Sequence, residues 1–241
     1  MTPGHVREET FAIAESRLPA GCDGPPLHRH DHDETCYVLA GELTFEVGGE
    51  LVGVGERRAV FVPGGVPHAA ANRGAAEARY LTVCTPPPHE EISLGRGIRP
   101  GAARRIEDVP GRVKVLVRGS DGSDRVAVMD DLIEPGHDGP PLHHHAFDEL
   151  FYVIEGVLTF RLGGEDVTCR AGELAFAPGG TPHTFANLSG KEARMLIVCT
   201  PAGFERYFER VAADEAGVAP SPEPIDEWPE ITVVGPRITE E

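Results

Sequence analysis

Long apolar runs are absent from this sequence, and no window approaches the roughly 18 apolar residues of a membrane-spanning helix. Basic residues are scarce as well: 22 Lys and Arg stand against 39 Asp and Glu, a formal net charge of −17. So acidic a surface excludes nucleic acid and anionic membranes as partners, since both select basic patches. The opening stretch MTPGHVREETFAIAESRLPA has no basic segment leading into an apolar run, so no secretory leader is expected. Cysteine is limited to five, an odd number in 241 residues. That reads as reduced thiols in a cytoplasmic chain rather than as a disulfide frame. Turn-forming residues are plentiful, 29 Gly and 22 Pro in a chain that is still 40% hydrophobic. The mixture excludes a disordered chain and suits short strands between turns.

The chain also repeats itself. Displaced by 115 residues, GPPLHRHDHDETCYVLAGELTFEVGGE from Gly24 falls on GPPLHHHAFDELFYVIEGVLTFRLGGE from Gly139. Without a gap, VPGGVPHAAAN then falls on APGGTPHTFAN, and LTVCTP on LIVCTP. About 34 of the 63 positions from Gly24 to Pro86 match those from Gly139 to Pro201. A period this long marks a duplicated domain, not a solenoid of short repeats. Each copy reads as apolar, β-branched strands stopped by Gly and Pro-Gly-Gly turns. The copies are placed at 1–88 and 113–203, with a Pro/Gly-rich linker at 89–112 and a C-terminal helix and acidic tail at 204–241. In that last segment Phe204, Tyr207, Phe208 and Val211 form a helical stripe, expected to pack on the outside of the β-structure. Trp228 would anchor the extended tail.

Most of the chemistry sits at matched positions. His28 and His30 lie two apart and Glu34 follows, so on one continuous strand all three share a face. His68 arrives from a distant segment after a Pro-Gly-Gly turn, and the second copy repeats the set as His143, His145, Glu149 and His183. Three neutral imidazoles and a carboxylate suit a divalent first-row metal and leave positions open for water or substrate. Structural zinc prefers closed, Cys-containing sites, and Cys84 and Cys199, though matched, read as small core residues in apolar strands. His5, His89 and His137 have no matched histidine and read as surface or structural residues; His144 should point away from the ligand face.

These residues resemble the cupin superfamily. His28, His30, Glu34 and Gly41 fit its first motif, as do His143, His145, Glu149 and Gly156. Gly55, Pro63, Gly65, His68 and Asn72 fit its second, as do Gly172, Pro178, Gly180, His183 and Asn187. Gly24 and Gly139 sit nearer the histidines than the family's leading glycine does. The resemblance implies an all-β chain of two tandem double-stranded β-helix (jelly-roll) barrels with a few short peripheral helices. It also implies one divalent metal per barrel (Fe, Mn, Ni, Co or Zn) and either a monomer with paired barrels or a homodimer.

The resemblance leads first to a dioxygenase of the quercetin 2,3-dioxygenase type, acting on a small oxygenated molecule with O₂. In that reaction the ligating glutamate exchanges a proton with a substrate hydroxyl, a role for Glu34 or Glu149. A metal-dependent isomerase, decarboxylase or polyketide cyclase that does not use O₂ is the alternative, and a small-molecule binding or sensor cupin is the third. Strand alternation puts His32, Cys36 and Ala70 on the pocket face of the first copy, and Phe147, Phe151 and Phe185 on that of the second. Three phenylalanines should narrow the second mouth and leave the first barrel as the open, polar chamber, with His32 as a pocket acid/base. Asn72 and Asn187 are expected to tie turns, and Tyr37 and Tyr152 to face outward.

Overall fold

Alternation of apolar residues and the spacing of glycine turns divide each copy into strands of four to eight residues, which the structure places in two sheets per copy. The structure is a computed structural model of the chain, describing residues 5–7, 10–87, 104–105, 113–121, 124–216 and 229–240. It divides into two compact units, Met1–Glu107 with Ser120–Arg125, and Asp108–Gly119 with Val126–Glu241.

The first unit carries β1 (His5–Arg7), β2 (Ala12–Leu18), β3 (Asp33–Ala40), β4 (Glu42–Val47), β5 (Glu50–Gly55), β6 (Ala59–Val62), β7 (His68–Ala71), β8 (Ala78–Thr85) and β9 (Arg104–Arg105). They form one sheet ordered β1-β2-β8-β3-β6-β9 and another ordered β5-β4-β7. The second unit carries β10 (Val113–Val117), β11 (Ala127–Ile133), β12 (Leu142–His144), β13 (Asp148–Glu155), β14 (Val157–Leu162), β15 (Glu165–Arg170), β16 (Leu174–Ala177), β17 (His183–Ala186) and β18 (Ala193–Thr200). Helix α1 (Glu205–Ala216) and β19 (Thr232–Gly235) follow. The sheets here are β10-β11-β18-β13-β16 and β15-β14-β17-β12-β19.

Alternate side chains of the two sheets meet in each core. In the second unit Phe151, Met195 and Ile197 from one sheet pack with Leu158, Phe160 and Phe185 from the other. In the first, Cys36, Val38 and Val60 meet Leu43, Phe45 and Ala70. Each unit is therefore a jelly-roll barrel whose interior is filled by the inward positions of both sheets. Tyr37 and Tyr152 fall on the opposite face, as alternation requires, yet are only 1% and 5% exposed.

Asn72 and Asn187, fully buried, tie the strand after each second motif to its neighbours. Asn187 Nδ2 donates to the carbonyls of Ile133 at 3.0 Å and Lys191 at 2.8 Å, while its Oδ1 accepts from the Ser189 N–H. Asn72 makes the same bonds to Leu18, Ala76 and Gly74.

The structure corrects one motif position. Gly172 has φ +88°, and the residue in register with it is Arg57, at φ +60°, not Gly55. A side chain in left-handed backbone costs about 1–2 kcal/mol, which glycine avoids. Arg57→Gly is therefore expected to raise the melting temperature by about 2 °C, net of the extra chain entropy glycine loses, as calorimetry would show.

All five cysteines are free thiols. Among the described residues, no helix is long and apolar enough to cross a membrane. Trp228, His89 and most of the 89–112 segment lie outside the described residues.

Candidate metal centres

The ligands of each barrel come from both of its sheets. His143 lies on β12, directly opposite His183 at the start of β17. His145 follows the end of β12, the chain bends at residues 146–147, and Glu149 enters the other sheet on β13. The expectation of one strand running through all three ligands is thus corrected: two strands and a bend bring them together. The Pro-Gly-Gly turn holds that bend. The Gly180 N–H donates to the His145 carbonyl at 2.6 Å, and the Gly179 N–H to Asp148 Oδ1 at 2.8 Å. A Cβ on Gly179 would stand 2.3 Å from the Ala146 carbonyl oxygen, so only glycine permits this approach. Gly64 and Gly65 repeat both bonds to Asp33 and His30.

Every ligand imidazole is held through Nδ1 by a carbonyl two residues away. His143, His145 and His183 bond the carbonyls of Pro141, Phe147 and Thr181 at 2.8, 2.9 and 2.8 Å. His28, His30 and His68 bond those of Pro26, His32 and Val66 at 3.0, 2.8 and 2.9 Å. A carbonyl only accepts, so Nδ1 carries the proton and Nε2 presents its lone pair.

Those lone pairs face a carboxylate. His145 Nε2 and His183 Nε2 lie 2.9 and 3.0 Å from the same Glu149 oxygen, Oε2. Burial pushes the Glu149 carboxyl up, but the two histidines outweigh it and hold its pKa near 2, so Glu149 is ionised. That lowering requires a positive partner between the groups, an Nε2 proton or a cation, because a bare lone pair against a carboxylate at that separation repels. A proton on each imidazole would serve two groups; one metal ion serves all of His143, His145, Glu149 and His183, whose ligand atoms lie within 4.8 Å of one another. In the first barrel, His68 Nε2 is buried with no hydrogen-bond partner, an acceptor that a metal would satisfy. The donor sets therefore fit a divalent transition metal in each barrel.

The two centres differ in their glutamate. The Cys36 thiol donates to Glu34 Oε1 at 3.1 Å, and Glu34 Oε2 lies 3.1 Å from His30 but 3.9 Å from His68. The ligand atoms there form two overlapping sets, His28–His30–His68 and His30–His32–Glu34. Glu34 is likewise ionised, burial being outweighed by its hydrogen bond with His30 to bring its pKa to about 2. His32 stacks on His30 with ring centroids 3.5 Å apart, as Phe147 does on His145. Burial and the neighbouring His30 lower the His32 pKa to about 4, so it is neutral near pH 7. Cys36 and Ala70 are buried among the first barrel's core residues.

A cavity of about 470 Å³ opens onto His143, Glu149 and His183. Phe151 and Phe185 line it, whereas Phe147 is not among its lining residues. The two phenylalanines thus wall a chamber in the second barrel and do not close it. The helical stripe packs on the barrel's β10 and β11, and its Phe204, Tyr207, Phe208 and Val211 also form part of the cavity wall. Asp131, His137 and Arg237 also line it and went unrecognised in the sequence. His137 stacks on Phe185 and accepts the Gly139 N–H at Nδ1. Their only signal is position: Arg237 is an isolated charge in the tail, and Asp131 is, with Asp130, one of two acids in an otherwise apolar strand.

Two jelly-roll barrels, each with a cluster of histidines and a glutamate that could hold a metal, define a bicupin. The Cupin domain family matches residues 14–84 and 131–199, and the chain belongs to it. Among curated proteins, it is 23% identical over 245 residues to quercetin 2,3-dioxygenase of Bacillus subtilis, covering 77% of this chain and 72% of that one. Its fold is similar to that of Bacillus subtilis oxalate decarboxylase, described with Mn(II) centres (TM-score 0.63, 17% identity, 97% of this chain and 86% of that one). It is also similar to that of salicylate 1,2-dioxygenase from Pseudoaminobacter salicylatoxidans (TM-score 0.62, 15% identity, 86% and 73%). The chain is thus a bicupin with a cluster in each barrel that could hold a metal, similar in sequence to a dioxygenase and in fold to a dioxygenase and a decarboxylase.

Proposed function

We propose that the chain is a metal-dependent dioxygenase of the quercetin 2,3-dioxygenase type, with the second barrel as its reaction chamber. One observation carries this reading: the compact set His143, His145, Glu149 and His183 borders a mostly apolar cavity whose wall includes Phe151, Phe185, Phe204, Tyr207 and Phe208. A divalent metal held there would supply Lewis-acid polarisation of substrate oxygens and access to O₂. The chain's own residues do the rest. Phe151, Phe185, Phe204 and Phe208 give an aromatic substrate an apolar bed and exclude water from the reacting end. Glu149, ionised and aimed at the cavity, takes a proton from a substrate hydroxyl at a carboxylate oxygen and returns it later. Cleavage of a carbon–carbon bond by O₂ draws its electrons from the substrate, so no external reductant is needed. In the first barrel, Glu34 and His32 are the corresponding candidates, and Cys36 and Ala70 the corresponding pocket residues.

The test is oxygen uptake by anaerobically purified protein loaded with one metal at a time, against flavonols, β-diketones and 2-oxo acids. Uptake that tracks product supports the dioxygenase. The fold shared with oxalate decarboxylase favours a second reading, metal-dependent chemistry without O₂. Product formed under argon assigns that one. Tight ligand binding with no turnover makes the chain a binding cupin.

A further inference from the structure

We infer that Arg237 makes the second cavity selective for an aromatic substrate bearing an anionic substituent; this rests on the reading of that cavity as the substrate site. Arg237 is the single Lys or Arg among its lining residues. Its place follows from strand register. β19 runs antiparallel to β12, with Val233 opposite His143 and Gly235 opposite Leu142. The Leu142 N–H then donates to the Pro236 carbonyl at 3.2 Å, and Arg237 Nε donates to the Gly139 carbonyl at 2.9 Å. The guanidinium therefore sits beside Gly139, four residues before His143 in the chain.

Its electrostatic setting suits an anion. The backbone bond to Gly139 fixes the plane of the guanidinium fork. The nearest carboxylate oxygen on Asp138 is 3.5 Å from Nε, on a side chain that is 51% exposed. So exposed a pair contributes little and yields to a substrate carboxylate or phenolate. The cavity's other charged lining group outside the metal set, Asp131, lies on β11 in the opposite sheet. Positive and negative groups thus come from different sheets. An aromatic ligand held in this cavity meets Arg237 as its one Lys or Arg side chain, the partner for an anionic substituent. Arg237, β19 and α1 all lie beyond the duplicated segment, so the selectivity belongs to the second barrel's added wall.

The probes are 2-naphthoate and 2-naphthamide, alike in shape and unlike in charge. Both are titrated by calorimetry under argon into the full chain loaded with redox-inert Zn(II), as wild type and as Arg237→Gln. Wild type is expected to bind naphthoate more tightly than naphthamide. The substitution should weaken naphthoate by about tenfold or more and leave naphthamide little changed. Equal weakening of both probes would show that Arg237 only holds β19 in place, and that overturns the inference. So would naphthoate binding that is absent or indifferent to the substitution. Oxygen uptake is measured separately: charge-selective binding without uptake keeps this inference and removes the dioxygenase reading.

Discussion

Replacement of His143 and His145 together by alanine is expected to abolish turnover and to remove one metal equivalent per chain. Replacement of His28 and His30 should remove the other equivalent and leave most of the turnover intact. The asymmetry follows from what surrounds each set. Glu149 Oε2 is shared by His145 and His183 at 2.9 and 3.0 Å, and the ligand atoms with His143 form one compact group. That group borders the aromatic cavity. In the first barrel, the Cys36 thiol engages Glu34 Oε1 and the carboxylate stands 3.9 Å from His68. Each alanine pair removes two of the three matched imidazoles, which leaves too few donors to hold the ion tightly. Elemental analysis beside steady-state rates checks both halves. Equal loss of activity from the two double variants would mean that both barrels react, or that each depends on the other.

Glu149→Gln should bind metal more weakly but still bind it, and at saturating metal its kcat should fall by about 10²–10⁴-fold, the usual contribution of a positioned acid/base. The amide keeps the shape and one oxygen donor of the side chain, but it can neither carry the negative charge nor shuttle a proton. Glu149 is 3% exposed and ionised well below neutrality, so the wild-type site presents a carboxylate across the accessible pH range. Rates at saturating metal separate loss of the ion from loss of the proton acceptor. A variant that regains the wild-type kcat once metal is saturating would reduce Glu149 to a ligand and move the proton transfer elsewhere.

Much of this was legible because the chain was duplicated. Two in-register copies turned isolated histidines into two sets, and the structure brings those residues together in two barrels. Alternation correctly separated Phe151 from Tyr152, because β13 is regular and buried on both faces. Three things escaped because they depend on contacts remote in sequence. The bend between His145 and Glu149 exists only because the distant Gly179–Gly180 turn holds it. The left-handed residue of the first barrel's second motif is Arg57, which no residue-type rule would select. Part of the cavity wall comes from α1 and from residues 231–237, beyond the repeat, which comparing the copies could not reveal. The Cys36–Glu34 contact that makes the two centres unequal was likewise invisible, since Cys36 is an ordinary core residue by sequence.

Addition of O₂ to an aromatic substrate in the second barrel, the reaction proposed for this chain, would leave its mark in the mass of the product formed under heavy-isotope oxygen gas. The wild type and the His28/His30 double variant should both put both heavy atoms into the product. Product without label, or label lost when only the first barrel's histidines are replaced, would rule the reaction out of the second barrel.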